Sequence, residues 1–188
     1  MGSVPASRQE LLALLRARAF ERKSVVLASG KTSDFFIDCK QAVLTAEGHA
    51  LVGEVMLDAL SRLPPCAAVA GVELGGCPLA SAVSLTSFVR GAPLDAIYVR
   101  KDAKDHGSRR LLEGNSRLPP GASVALLEDV VTTGGSTLKA AAKLREAGYR
   151  VVGVVALVDR SEGGREALEL GGLAVESIFT RKDFIPDA

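Results

Sequence analysis

Val124-Ala-Leu-Leu-Glu-Asp-Val-Val-Thr-Thr-Gly-Gly-Ser-Thr137 is the stretch of this chain that decides its fold. It opens with an apolar run typical of a buried strand and continues through two adjacent carboxylates. It then passes through Thr-Thr-Gly-Gly-Ser into a predicted helix. Strand–turn–helix units of this kind build sheets in which parallel strands alternate with helices. The stretch therefore predicts an α/β protein.

The chemistry of this stretch suits a phosphorylated sugar. Gly134 and Gly135 let the backbone turn tightly and approach a ligand closely. Ser136 is expected to cap the following helix, whose free N–H groups and positive dipole end favour a phosphate. Glu128 and Asp129, expected where the strand ends, can accept hydrogen bonds from ribose hydroxyls or face a hydrated Mg²⁺. The nucleotide motifs G-x-x-x-x-G-K-S/T and G-x-G-x-x-G do not occur, so we predict a sugar-phosphate loop, with purely structural loop chemistry as the alternative.

The composition is that of an ordinary globular protein. The chain has 188 residues, 47% of them apolar and 24% charged, and this length predicts a single domain over residues 1–188. Its 23 basic and 22 acidic residues nearly cancel. Balanced charge creates no field that would draw the protein to nucleic acid or to an anionic membrane. We expect neither as a partner, so local charge must recognise any anionic substrate.

The cysteines and the apolar runs indicate an intracellular protein. Cys39, Cys66 and Cys77 are odd in number and lack a C-x-x-C spacing, which predicts reduced thiols and not a disulfide framework or zinc site. Leu11-Leu-Ala-Leu-Leu15 lies among charged residues and is too short for a signal segment, so it predicts an amphipathic helix. No apolar run is long enough to span a bilayer. We predict a cytoplasmic protein.

Strand and helix patterns alternate from residue 67 onward. Helices are predicted at 7–20, 45–60, 78–89, 136–147 and 164–170, and strands at 35–39, 67–71, 94–99, 122–128, 151–158 and 173–179. The alternation predicts a doubly wound, mostly parallel sheet flanked by helices. Ligands of such sheets bind beyond the carboxyl ends of the strands, which gathers the loops at 71–77, 100–114, 128–136 and 159–163 around one site. Residues 1–40 do not join the alternation and are expected to form a small cap.

A second informative stretch, residues 98–114, leaves a predicted strand and becomes densely basic. Its cationic residues are Arg100, Lys101, Lys104, His106, Arg109 and Arg110. Such a cluster can stabilise the charge that develops on a leaving pyrophosphate, and a closing loop would exclude water that competes as a nucleophile. On composition alone, a solvated charged loop explains the cluster equally well. Its predicted position beside Glu128 and Asp129 favours the catalytic interpretation.

Several segments together resemble one enzyme family. Residues 124–137 resemble the signature with which type I phosphoribosyltransferases bind 5-phosphoribosyl-1-pyrophosphate (PRPP). Arg100-Lys-Asp-Ala-Lys-Asp-His-Gly107 is similar to the Arg-Lys-x-x-Lys-x-His-Gly loop of the orotate phosphoribosyltransferases, and Leu112-Glu-Gly114 also fits that family. Ser29-Gly30 with Ser33-Asp-Phe-Phe-Ile-Asp38 resembles its base-binding segment, and Val158-Asp-Arg160 its orotate-binding element. The segments occur in the family's order and cover most of the chain.

The resemblance implies the step of pyrimidine (UMP) biosynthesis in which orotate and PRPP give orotidine 5′-monophosphate and pyrophosphate. It assigns catalytic roles to Lys101, Lys104, His106 and Asp129, with Lys104 or His106 as the proton donor. The implied PRPP-binding residues are Arg100, Lys101, Lys104, His106, Glu128, Asp129, Val130, Val131, Thr132, Thr133, Gly134, Gly135 and Ser136. The implied orotate-binding residues are Thr132, Arg160 and Phe36. The guanidinium of Arg160 suits the orotate carboxylate, because it can donate two parallel hydrogen bonds.

The resemblance also implies a cofactor and an assembly. Mg²⁺ is the expected cofactor, bound mainly by PRPP and water near Glu128 and Asp129 and not by a protein metal site. The family forms homodimers in which the charged loop reaches the neighbouring active site, so Lys101 is expected to act in the partner. The chain is expected to be monofunctional, because no decarboxylase domain follows the predicted fold before Ala188.

Two positions depart from the pattern of some family members. Those members have lysines, which contact substrate phosphates, where this chain has Ala28 and Gly75. Residues 72–76 can therefore offer only backbone N–H groups and Glu73 to the pyrophosphate. We expect PRPP affinity to depend more strongly on the charged loop.

Two rival functions remain open. A purine phosphoribosyltransferase would share the stretch at 124–137, but the loop at 100–107 and Val158-Asp-Arg160 favour orotate. A PRPP-sensing regulator that binds nucleic acid would show a basic face or an added module and a degraded loop. Balanced charge and the intact loop oppose that alternative.

Overall fold

A computed structural model describes residues 4–26, 32–102 and 111–186 of the chain. Within these residues, six strands form a central sheet, namely β5 (Ala68–Val72), β6 (Asp95–Val99), β7 (Leu112–Glu113), β8 (Ser123–Val131), β9 (Arg150–Asp159) and β10 (Val175–Thr180). Their order across the sheet is β10-β9-β8-β5-β6-β7. All neighbouring pairs are parallel except β6 and β7, which are antiparallel.

Helices cover both faces of this sheet. They are α1 (Val4–Arg18), α2 (Lys40–Val43), α3 (Ala46–Leu60), α4 (Gly76–Val89), α5 (Gly135–Glu146), α6 (Gly164–Leu170) and α7 (Arg181–Phe184), with a 3-10 turn at Asn115–Arg117. Side chains of α1, α3 and α4, such as Leu15, Met56 and Leu79, form one apolar core against the sheet. Leu144 of α5 and Leu168 of α6 belong to a second core on the opposite face. The sheet is buried on both faces, which explains the apolar runs of its strands.

The N-terminal residues stand beside the main sheet. Their four short strands, β1 (Phe20–Glu21), β2 (Val25–Val26), β3 (Thr32–Ser33) and β4 (Phe36–Ile37), pair with one another as β1–β4 and β2–β3. Phe20 and Phe35 pack against Phe184 of α7, with ring centroids 5.4 and 5.5 Å from it. Arg16 of α1 donates to the backbone oxygen of Asp183. The N-terminal segment is thus attached to the C-terminal end of the chain.

The predicted α/β fold with a mostly parallel sheet is confirmed, and the five main helices and five parallel strands lie within a few residues of their predicted bounds. Two differences matter for function. β8 continues to Val131, three residues beyond the predicted end, so Glu128 and Asp129 lie inside the strand. The antiparallel edge strand β7 was not predicted, since two residues are too few for a periodic signal.

None of the described helices combines the length and the apolar character needed to cross a membrane.

Candidate active site

Glu128 is buried under the first turn of α5. Successive side chains of a strand point to opposite faces, and Glu128 points to the face that α5 covers. Its carboxylate accepts a hydrogen bond from Oγ1 of Thr137 at 2.7 Å and a long one from Oγ of Ser136 at 3.5 Å. Only 5% of Glu128 is exposed. The residue therefore connects the strand to the helix that follows it.

This environment changes the protonation of Glu128. Burial, assisted by the charge of Asp129, raises the pKa of Glu128 to about 8, against the opposing effect of the Thr137 hydrogen bond. The protonated form of this carboxyl group is therefore favoured up to a higher pH than in an ordinary glutamate. It can donate a hydrogen bond as well as accept one.

Asp129 points to the other face of the sheet and is half-buried. Its carboxylate fills the space beside Gly75, where an added Cβ would lie 2.0 Å from Oδ2 of Asp129. A side chain at position 75 would therefore displace this carboxylate. The glycine at position 75, where some family members have lysine, therefore leaves room for the Asp129 carboxylate.

The turn after β8 prepares the start of α5 for an anion. Gly134 is the N-cap residue and has φ 76°, a left-handed conformation that favours glycine. Thr133, Gly135 and Ser136 are exposed. The prediction that Ser136 caps the helix is wrong, because the helix begins at Gly135 and the cap has no side-chain hydrogen bond. The N–H groups of the first turn thus have no competing side-chain acceptor and can bind a phosphate.

Arg160 follows the last residue of β9, beside the end of β8. Its backbone N–H donates to the oxygen of Val131 at 3.0 Å. Its NH2 nitrogen donates to Oγ of Ser33 at 3.0 Å and to the backbone oxygen of Phe35 at 2.8 Å, and the guanidinium also pairs with Glu162. Arg160 therefore joins the edge of the sheet to the N-terminal segment.

Phe36 is half-buried, and the ammonium group of Lys23 lies 4.0 Å from its ring centroid. Its neighbour Phe35 is fully buried and supplies the contact with Arg160. Of the two phenylalanines, Phe35 is the one that supports Arg160, while Phe36 presents a partly open ring.

The base of the charged loop is held from two sides. Oε2 of Glu73 accepts from the backbone N–H of Lys101 at 2.9 Å. From α5, Nζ of Lys143 donates to the backbone oxygens of Arg100 and Lys101 at 2.8 and 2.5 Å. Arg100, Lys101 and Lys143 border a cavity of about 380 Å³, which Ser136 and Lys139 also line. The predicted residues Lys104 and His106, as well as Ala28, lie outside the described residues.

Three contributors to the site were not predicted from sequence. Thr137 hydrogen-bonds Glu128, Lys143 anchors the loop, and Glu162 pairs with Arg160. The spacing of Ser136 and Lys143 on one face of α5 was a usable signal for Lys143. No pattern marks Thr137 or Glu162, because each acts through a tertiary contact.

Among the described residues, no group of three or more His, Cys, Asp or Glu side chains could hold a metal ion. The half-exposed carboxylate of Asp129 fits Mg²⁺ nevertheless, since this ion is commonly held by one or two carboxylates together with substrate phosphates.

Comparisons with known proteins agree on one family. Residues 55–170 match the phosphoribosyl transferase domain family. Orotate phosphoribosyltransferase of Sorangium cellulosum is 71% identical over 97% of this chain and 95% of its own length. The enzyme of that name from Thermosynechococcus vestitus is 47% identical over 94% and 92%. The crystal structure of Mycobacterium tuberculosis orotate phosphoribosyltransferase in complex with PRPP is 34% identical and covers 95% of this chain and 98% of its own, with a TM-score of 0.78.

Replacing Glu128 with glutamine should change how stability depends on pH. The pKa of Glu128 is about 8 in the folded protein and near 4.5 ordinarily, so the folded state holds a proton that the unfolded chain releases in between. The stability that the protonated Glu128 contributes is fully present below the pKa of the unfolded chain. It is lost as pH rises through the pKa of the folded protein. We expect the free energy of unfolding of the wild type, measured with urea, to fall by at least about 1.5 kcal/mol relative to that of Glu128→Gln between pH 5 and pH 8.5.

The exposed Glu166, on α6, supplies the matched control. Its replacement by glutamine makes the same chemical change at an exposed position, and the pH-dependent difference found for Glu128→Gln should clearly exceed any found for this control. A stability difference for Glu128→Gln that stays constant over this pH range would contradict the raised pKa of Glu128.

Proposed function

Since the chain belongs to the orotate phosphoribosyltransferase family, we propose that it transfers the phosphoribosyl group of PRPP to orotate, giving orotidine 5′-monophosphate and pyrophosphate. One arrangement carries the proposal. The carboxylates of β8, the anion-binding start of α5 and Arg160 lie at the same edge of the sheet, where the backbone of Arg160 bonds to Val131 at 3.0 Å. A sugar phosphate and a carboxylated base can therefore be bound side by side.

The reaction exchanges one bond at C1′ of the ribose. The bond to pyrophosphate oxygen breaks while orotate N1, after losing its proton, forms the new bond. Positive charge develops on the ribose and negative charge on the pyrophosphate, so catalysis requires positioning and electrostatic stabilisation. We assign Arg100, Lys101, Lys104 and His106 to the pyrophosphate. With Mg²⁺ bound near Asp129, the charge of the leaving group would be partly neutralised.

The other substrate groups are assigned to the end of β8 and to β9. Residues 132–136 would bind the 5′-phosphate, chiefly through backbone N–H groups at the start of α5, with Val130 and Val131 also beside PRPP. Asp129 and Glu128 would hold the ribose hydroxyls, as the family resemblance implies. Arg160 would bind the orotate carboxylate, with Thr132 and the partly open ring of Phe36 beside the base.

We also propose that the chain acts as a homodimer. An apolar face, formed by Leu85, Phe88, Val89 and Tyr98, is exposed on α4 and β6, with Phe88 72% exposed. An adjoining cavity of about 420 Å³ is lined partly by the same residues. Exposed apolar clusters of this kind favour self-association. Tyr98 is the next-to-last residue of β6, which leads directly into the charged loop, so a second copy on this face would receive Lys101.

Two broader expectations belong to the same proposal. Residues 1–188 would form one phosphoribosyltransferase domain, since the N-terminal segment packs on α7 and supports Arg160. The protein would be cytoplasmic, in keeping with its small phosphorylated substrates and with three cysteines that are all free.

The activity is tested by the fall in orotate absorbance with PRPP and Mg²⁺. We expect orotate to be consumed, EDTA to abolish the reaction, and adenine, hypoxanthine and xanthine to be inert. Lys101→Ala should lower kcat/KM by about 100-fold, because a cation that stabilises the leaving group is lost. The exposed Lys182 of α7 is the control, and Lys182→Ala should retain full activity. Turnover of a purine, or of no base, would refute the proposal.

Phe88→Asp should convert the dimer into a monomer, because it places a charge at the centre of the apolar face. Sedimentation velocity measures the change, and kcat should fall with it if the loop acts in the partner. Leu170→Asp is the matched control, since this leucine is 92% exposed on α6 and outside that face. A wild type that sediments as a monomer would contradict the dimer.

Gly75→Ala should weaken PRPP binding about tenfold. The new methyl group requires the Asp129 carboxylate to move, because its Cβ would lie 2.0 Å from Oδ2. Calorimetric titration with PRPP measures the loss. In an Asp129→Ala background, the same substitution should cost less than about twofold, because the displaced group is absent. Equal losses in both backgrounds would show that PRPP binding does not depend on the contact between position 75 and the Asp129 carboxylate.

A further inference from the structure

Glu162 holds the guanidinium of Arg160 along one edge. A single oxygen, Oε1 of Glu162, accepts from Nε at 3.1 Å and lies 3.0 Å from NH2. The same NH2 donates to Ser33 and to the backbone oxygen of Phe35. Two of the three guanidinium nitrogens are thus fixed, and they determine the plane of the group.

The third nitrogen, NH1, is left for a ligand. Within the described residues, NH1 of Arg160 makes no hydrogen bond. It is not a buried atom either, because Nε of Arg100 is the one buried side-chain nitrogen or oxygen there that lacks a partner. NH1 is therefore accessible, although Arg160 as a whole is only 8% exposed. An accessible N–H pair on a fixed cation is a suitable donor to a carboxylate.

The chain is shaped to bring Glu162 to this position. Ser161 has φ 55°, in the left-handed region that residues other than glycine seldom adopt. The buried Asp159 stabilises the turn, because its Oδ1 accepts from the N–H of Ser161 at 2.8 Å. Arg165 lies 3.6 Å from the other oxygen of Asp159. A backbone conformation of this kind persists only where its surroundings enforce it.

We propose that Glu162 is a positioning residue that selects carboxylated ligands through Arg160. This inference rests on the proposed function, in which Arg160 binds the orotate carboxylate. Glu162 keeps the nearly buried guanidinium paired before the base arrives and directs NH1 toward the base. A base with a carboxylate gains a charge-assisted hydrogen bond to a donor already in place, whereas a base without one gains nothing from Glu162.

Equilibrium binding of product nucleotides tests the idea without catalysis. Orotidine 5′-monophosphate carries the carboxylate, and uridine 5′-monophosphate is otherwise identical. The wild type should prefer the former. Glu162→Ala should lose about tenfold in affinity for orotidine 5′-monophosphate, the effect of one charge-assisted hydrogen bond, and less than about twofold for uridine 5′-monophosphate.

Conservative variants separate positioning from a general effect on folding. Glu162→Gln retains an oxygen for Nε and should stay within about threefold of the wild type for both nucleotides. Glu162→Asp retains the charge but withdraws the oxygen, so it should show the selective loss even if the alanine variant unfolds. Glu166→Ala removes an exposed carboxylate of α6 and should bind both nucleotides as the wild type does.

The outcomes separate the role of Glu162 from that of Arg160. If the wild type prefers orotidine 5′-monophosphate but Glu162→Ala and Glu162→Asp keep that preference, the role of Glu162 is wrong and the proposed function stands. Equal losses of affinity for the two nucleotides also overturn the positioning role of Glu162, because they indicate a general structural effect. If the wild type shows no preference, the assignment of Arg160 to the carboxylate fails and the inference fails with it.

Discussion

The parallel pairing of β8 with β5 on one side and β9 on the other is the constraint on which the site depends. Parallel strands end at the same edge of a sheet, so this hydrogen-bonded ladder brings three loops together that are distant in sequence. Gly75 follows β5, Asp129 lies near the end of β8, and Arg160 follows β9. No loop needs to be long or ordered by a ligand to reach the others.

Helix α5 turns this edge into a connected unit. At its first turn, Thr137 hydrogen-bonds the buried Glu128, and two turns later Lys143 binds the backbone where the charged loop begins. The same helix offers its N-terminal N–H groups to an anion. A shift of α5 would therefore alter the phosphate site, the protonation of Glu128 and the base of the loop together. Rigid support of this kind holds catalytic groups in position.

Much of this arrangement could be predicted from the sequence, because it is encoded in local patterns. The apolar runs gave the sheet, and the stretch at 124–137 together with Arg160 indicated the edge where the site lies. The orientation of Glu128 could not be predicted, since adjacent carboxylates on a strand face opposite sides and only tertiary packing decides which is buried. Ser136 was misassigned as a cap because Gly134 already provides the required left-handed turn. Glu162 gave no signal, because its role depends on the backbone conformation of Ser161.

The packing of Phe20 and Phe35 against Phe184 has a consequence for biosynthesis. A ribosome makes residue 35 long before residue 184, so a nascent chain holds the N-terminal aromatic rings without their final partner. Ser33 and the backbone of Phe35, which orient Arg160, can reach their final positions only once α7 has emerged. The last strand of the sheet ends at Thr180, directly before α7, so the sheet is complete only at the same late stage. The support of Arg160 by the N-terminal segment therefore depends on residues made at the end of synthesis.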